Sequence, residues 1–127
     1  MMNIKSLRHK LGMILAVALL VVSSVFVASS PTLAETIQVK MGSDTSQLVF
    51  DPNDITASPG DTIEFVVNQM APHNIVFDSD ALKASNDQLM FAPGDKSTVT
   101  VPDAPGTYNF YCTPHRGAGM VGKLTVQ

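Results

Sequence analysis

Four side chains of this sequence have types and spacing suited to holding one metal ion. Cys112, His115 and Met120 fall within nine residues, in Tyr111-Cys112-Thr113-Pro114-His115-Arg116-Gly117-Ala118-Gly119-Met120. His73 stands far upstream, in Ala71-Pro72-His73-Asn74. One thiolate, two imidazoles and one thioether are the donors of a blue-copper electron-transfer site, a trigonal His₂Cys plane with a weak axial Met. The thiolate holds copper in both oxidation states. The imidazoles suit Cu(II), and the soft thioether favours Cu(I) without demanding a square plane. A cage that fits both states equally changes little when the electron moves, and transfer is then fast.

Other readings of the same residues compete. Cys112 is the only cysteine of the chain, so it forms no internal disulfide. Alone it reads as an inert buried thiol. Structural zinc wants four strong N or S donors, and Met is a poor one. A cysteine nucleophile wants an accessible thiolate with an activating His and an orienting partner. A multicopper oxidase wants many more histidines than the two available, since His9 lies in the N-terminal basic segment. Met41, Met70 and Met90 read as core packing.

The elements that must position the four donors read as strands. Ile37, Val39 and Met41 alternate with polar neighbours, as do Ile63, Phe65 and Val67, then Val99 and Val101, then Leu124 and Val126. Further strands are expected at Leu48–Phe50, His73–Phe77 and Thr107–Cys112. Pro-Gly pairs at Pro59-Gly60, Pro93-Gly94 and Pro105-Gly106 suit type II turns. Residues 79–88 are the one place for a short helical turn or loop. The expected fold is all-β, a Greek-key β-sandwich of seven to eight strands. Strand parity turns Cys112 inward with Phe110, turns His73 inward with Ile75 and Phe77, and leaves Tyr111 outward.

Residues 1–34 read as a cleaved export signal. A basic start (Lys5, Arg8, Lys10) precedes an apolar core from Leu11, and small residues end at Ala34. An uncleaved anchor is the alternative reading, since residues 11–28 approach spanning length. Residues 35–127 then form one domain. All eleven acidic residues and only five basic ones lie in it, so its net charge is near −6. That balance argues against nucleic acid and anionic membranes, and suits a partner with a basic face.

The stretch from Tyr111 to Val126, with Ala71-Pro72-His73-Asn74-Ile75-Val76-Phe77-Asp78, the Pro-Gly-Asp turns and Gly106-Thr107-Tyr108-Asn109-Phe110-Tyr111-Cys112, resembles the plastocyanin family of cupredoxins. The resemblance implies a cupredoxin-like sandwich with one copper ion on His73, Cys112, His115 and Met120. It implies a monomer that carries single electrons from cytochrome f to photosystem I in the thylakoid lumen, peripheral to the membrane. By the same resemblance Asn74 ties the two ligand loops together. Leu48, Pro72, Gly117 and Ala118 surround the exposed edge of His115, and Tyr111 marks a docking flank. The dense acidic run of plant members is reduced to Asp78, Asp80 and Asp87, interrupted by Lys83. Arg116, next to His115, is expected to meet an acid on a partner; a solvated loop cation is the alternative. A periplasmic carrier of the pseudoazurin kind and a copper storage or delivery module are the rival functions.

Overall fold

A computed structural model of the chain describes residues 32–82 and 87–127. The expected export segment up to residue 31, and Lys83 in the expected 79–88 turn, lie outside the described residues. Among the described residues no helix is long and apolar enough to cross a membrane.

Among the described residues eight strands form two four-stranded sheets. They are β1 (Thr36–Met41), β2 (Phe50–Asp51), β3 (Asp54–Ala57), β4 (Thr62–Val67), β5 (Val76–Phe77), β6 (Lys96–Thr100), β7 (Gly106–Tyr111) and β8 (Val121–Val126). The first sheet runs β2-β1-β4-β6 and the second β3-β8-β7-β5. β1 lies parallel to β4, and β3 parallel to β8; the other pairs are antiparallel. From β2 to β7 each consecutive strand crosses to the other sheet, as the sandwich reading expected, while β1–β2 and β7–β8 are neighbours within a sheet.

Alternation drives the packing. Val39, Met41, Ile63, Phe65, Val67, Leu124 and Val126 all turn their side chains into the core. Phe50, Phe65 and Phe110 meet edge to face, with centroids 4.9 to 6.0 Å apart, the favoured arrangement of aromatic quadrupoles. Phe77 leans on Phe110 at 5.1 Å. Phe110 sits opposite Gly122 on β8. A Cβ at Gly122 would come within 2.3 Å of the Phe110 ring, so the glycine makes room for the aromatic cluster beneath the site.

Two of the three Pro-Gly turns behave as read. Asp61 N–H donates to Ser58 O, and Asp95 N–H to Ala92 O, with Gly60 and Gly94 at φ of 86° and 90°. In both, the aspartate reaches back to a backbone N–H, Ser58 for Asp61 and Ala92 for Asp95. Gly106 is different: its φ is 151° and it already belongs to β7.

Several expectations need correction. β3 was not read from the sequence, because Asp54 and Thr56 on its exposed face follow Pro52-Asn53 and resemble a turn. The strand expected over His73–Phe77 shrinks to Val76–Phe77, and His73 joins only an isolated bridge with Met90. The N–H of Asn74 is turned onto the Cys112 sulfur instead of a neighbouring strand. The strand expected at Leu48–Phe50 begins at Phe50. A 3₁₀ turn at Asp80–Leu82 falls within the expected 79–88 region, but a second 3₁₀ segment, Thr113–Ala118, was not expected. Met41 is core and Met90 packs against it, but Met70 is 49 % exposed.

Candidate metal centre

The site lies at one end of the sandwich. Cys112 follows the last residue of β7 and caps the Thr113–Ala118 segment, with Pro114 in its first turn. Pro is at home there because its missing N–H would have had no helical partner. Gly119 ends the segment at φ 89°, a left-handed conformation in which glycine avoids the Cβ clash. The loop is therefore a wound segment over Thr113–Ala118. Its ends are stapled by main chain: Cys112 N–H donates to Met120 O at 3.1 Å, and Met120 N–H to His115 O at 3.2 Å.

His73 arrives from the other side. Its backbone exchanges both hydrogen bonds with Met90. Its ring Nε2 lies 2.6 Å from Gln69 O, so that nitrogen carries the proton and donates it. Nδ1 is left as the lone-pair nitrogen, and it lies 3.7 Å from Cys112 Sγ. His115 Nδ1 lies 3.6 Å from the same sulfur. The three donor atoms of His73, Cys112 and His115 all fall within 4.8 Å of one another. The two imidazole rings stand edge to face with centroids 5.1 Å apart.

Burial is uneven. His73, Cys112 and Met120 are 0 % exposed, whereas His115 reaches the surface in part. Burial pushes the His73 imidazole below its ordinary value, against the opposing pull of the Gln69 carbonyl, so the ring is held neutral as a ligand must be. Burial pushes the Cys112 thiol up, while the N–H groups of Asn74 and His115 that point at the sulfur pull it down. Those two donors are arranged for a thiolate, and a bound cation displaces the proton.

Asn74 is bonded to the start of the Thr113–Ala118 segment and to Asp87. Its Nδ2 donates to Thr113 Oγ1 at 3.0 Å and to Asp87 O at 3.0 Å, and its Oδ1 accepts from Thr113 N–H at 2.7 Å. Three residues of this arrangement escaped sequence reasoning: Gln69, Thr113 and Asp87. Two act through backbone atoms, which no side-chain pattern reveals. Thr113 alone left a trace, as a hydroxyl directly after the ligand cysteine.

Of the residues expected around His115, Leu48 and Pro72 are half-buried, while Gly117 and Ala118 are exposed. Tyr111 is half-buried on the outer face of β7, opposite in parity to Phe110, as read. Arg116 is exposed but not free in solvent: its guanidinium lies over the Tyr111 ring, 3.9 Å from the centroid. Asp78 and Asp80 are exposed on the flank beyond β5.

The donor set fits copper. One buried sulfur and two imidazole nitrogens converge from different elements, and a buried methionine closes the loop, a mixture that suits a soft, redox-active ion better than zinc. Residues 37–127 match the family model for copper binding proteins of the plastocyanin/azurin family. The chain belongs to that family.

Its relatives point the same way. It is 43 % identical to plastocyanin of Prochlorothrix hollandica over 96 % of both chains, and 51 % identical to plastocyanin of Nostoc punctiforme over 86 % of both. A solved mutant plastocyanin of a fern superposes with a TM-score of 0.62 at 36 % identity, covering 71 % of this chain and 99 % of the fern chain. A pseudoazurin from Sinorhizobium superposes at 0.54 with 30 % identity, covering 73 % of this chain and 74 % of that one. This member of the plastocyanin/azurin family is a blue copper electron carrier, and His73, Cys112, His115 and Met120 form its type I copper site.

Proposed function

We propose that this carrier takes single electrons from cytochrome f and delivers them to photosystem I, and that it works in the thylakoid lumen after removal of residues 1–34. The observation that supports this most is the uneven burial of the site. Three of the four ligands are sealed, and the His115 ring alone comes partly to the surface. The bound copper supplies one-electron exchange between Cu(I) and Cu(II). The protein's part is to hold the donors still. Gln69 fixes the His73 ring, Asn74 joins the His73 loop to Thr113, and the Cys112–Met120 main-chain bond closes the ligand loop.

A partner in this reading settles on the surface around His115. Pro72, Leu48, Gly117 and Ala118 give it low-polarity contact, and an adjoining hollow is lined by Asn74, Asp87, Leu89, Thr113 and Pro114. Tyr111, Arg116, Asp78 and Asp80 supply the polar flank. A weak, fast encounter suits such a surface, with charge steering the approach and a small apolar contact allowing release. A plastocyanin matches over 96 % of this sequence, against 73 % for the pseudoazurin, which favours the photosynthetic role over the pseudoazurin alternative.

The test is kinetic. Reduced protein is mixed with photosystem I, and its oxidation is followed after a flash. A saturable, submillisecond phase is expected, on the scale of an electron-transfer encounter complex. No flash-induced oxidation, with normal transfer to a copper nitrite reductase instead, overturns the photosynthetic assignment in favour of the periplasmic one.

A further inference from the structure

Gly42 follows β1, outside the ligand loop. Its neighbour across the sheet is the segment that leaves β4, since Met41 and Val67 pair at the ends of the parallel strands. Beyond that pair the two chains stay bonded. Asn68 N–H and Gln69 N–H both donate to Met41 O, at 2.9 and 3.2 Å, and Asn68 Nδ2 donates to Gly42 O at 2.9 Å. The Gln69 carbonyl ends up against the Gly42 Cα. A Cβ at position 42 would sit 2.1 Å from Gln69 O and 2.7 Å from its carbon. That oxygen is the acceptor for His73 Nε2.

We propose that Gly42 is a positioning residue for the copper ligand His73: its missing side chain leaves the Gln69 carbonyl the space from which it holds the His73 proton on Nε2. The proposal rests on the copper-carrier reading of the site. A carbon and an oxygen not bonded to each other do not approach within 3.0 Å, so any other L-residue must displace either its own backbone or the carbonyl. A 2.6 Å hydrogen bond does not survive displacement of its acceptor by much of an ångström. Asn68 clasps the same two segments through Gly42 O, and its Nδ2 also donates to Asp44 Oδ1. The consequence reaches the metal, because a ligand imidazole whose second nitrogen donates to a carbonyl is oriented, fixed in tautomer and made more basic. A more basic ligand favours Cu(II).

Position 42 also has φ of +82°, which any L-residue resists. Gly60 separates strain from crowding: its φ is +86°, and a Cβ there would have nothing within 4 Å. The experiment compares Gly42→Ala, Asn68→Ala and Gly60→Ala with the parent protein. Nitrogen-15 NMR of the metal-free proteins reads the His73 tautomer and the exchange of its Nε2–H. Voltammetry of the copper-loaded proteins reads the reduction potential.

In Gly42→Ala, exchange on the order of tenfold faster is expected, the fold-change that loss of one neutral hydrogen bond brings, with an upward shift in potential. Asn68→Ala moves both in the same direction by less, and Gly60→Ala moves neither. Parent-like exchange and potential in Gly42→Ala, or equal changes in Gly60→Ala, overturn the proposal. Should Gly42→Ala not fold, Asn68→Ala decides: faster exchange supports the role, and unchanged exchange overturns it. A parent protein that stays colourless with Cu(II) sinks the copper reading instead, and the metal-free exchange comparison still judges Gly42.

Discussion

The guanidinium of Arg116 lies 3.9 Å from the centroid of the Tyr111 ring. Tyr111 stands just before Cys112, and Arg116 follows His115 inside the ligand loop. The stack fixes a positive charge beside the exposed imidazole. A planar guanidinium on an aromatic face at an exposed site is worth about 0.5–1 kcal/mol, enough to bias the side chain without burying its charge. Arg116→Glu is therefore expected to slow association with at least one redox partner, on the order of tenfold at low ionic strength, while the absorbance of the copper site stays unchanged. Arg116→Lys keeps the charge and loses the flat stacking surface, so its rates should fall between the two. Stopped-flow or flash kinetics across a salt series checks this. Rates to both partners that match the parent under all salt conditions would remove Arg116 from the docking surface.

Asn74 is the joint between the His73 loop and the ligand loop. Asn74→Ala strips partners from Thr113 N–H, Thr113 Oγ1 and Asp87 O together. Leaving such groups unpaired costs about 1–3 kcal/mol. Denaturant unfolding should show that loss, and the blue band should broaden or shift as the cage loosens. A variant with parent stability and an identical spectrum would show that the joint is dispensable.

Gly122 makes room for Phe110 under the site. Gly122→Ala drives a methyl into the Phe110 ring, and overpacking of this kind costs about 1–3 kcal/mol. Gly117→Ala is the contrast, since a Cβ there meets nothing within 4 Å. Thermal melts of the two variants are expected to differ in that order. Equal melting temperatures would mean that the aromatic cluster yields freely.

Asp61 gives the fold an acid sensitivity. Its carboxylate accepts from Glu35 N–H and Ser58 N–H, both at 2.9 Å, and those bonds hold its pKa below the ordinary carboxylate range. The folded pKa is depressed, so the stabilisation is fully present above the unfolded value, near pH 4, and is lost as pH falls through the folded value. Asp61→Asn should be less stable than the parent at neutral pH. The gap should close as the solution is taken below about pH 4. Urea midpoints measured across that range test the claim; a gap that persists unchanged in acid contradicts it.

Removal of copper should leave the protein folded. The donors are held by protein groups alone: Gln69 on His73, Asn74 on Thr113, and Met120 O on Cys112 N–H. The chelated protein is expected to unfold in one cooperative transition at a lower temperature than the copper form, since a ligand that binds only the native state raises its stability. A broad, non-cooperative melt would show that the metal builds its own site.

The four donors, the inward turn of Cys112 and the outward turn of Tyr111 were legible because each depends on residue type or on strand parity. The alternation around Phe65 and Leu124 likewise announced a sandwich. What escaped has a common cause. β3 is held by parallel pairing with β8, whose partner residues lie almost 70 positions away, and a short polar-faced strand carries no local sign of such a partner. The Thr113–Ala118 coil comes from main-chain hydrogen bonds after a proline, which no pattern of residue types announces. Met70 carries an apolar side chain at φ 58° on the surface, where type alone argued for the core. Gln69, Gly42 and Asp87 act through backbone atoms or through empty space, and neither has a letter in the sequence.

β8 pairs with both β3 and β7, and it follows every donor in the chain. A nascent polypeptide cannot close the second sheet before this strand emerges, so β3 waits unpaired until the whole ligand loop has been made. Under the export proposed above for an unfolded chain, the finished site therefore forms on the far side of the membrane, and its ion is drawn from the supply held there.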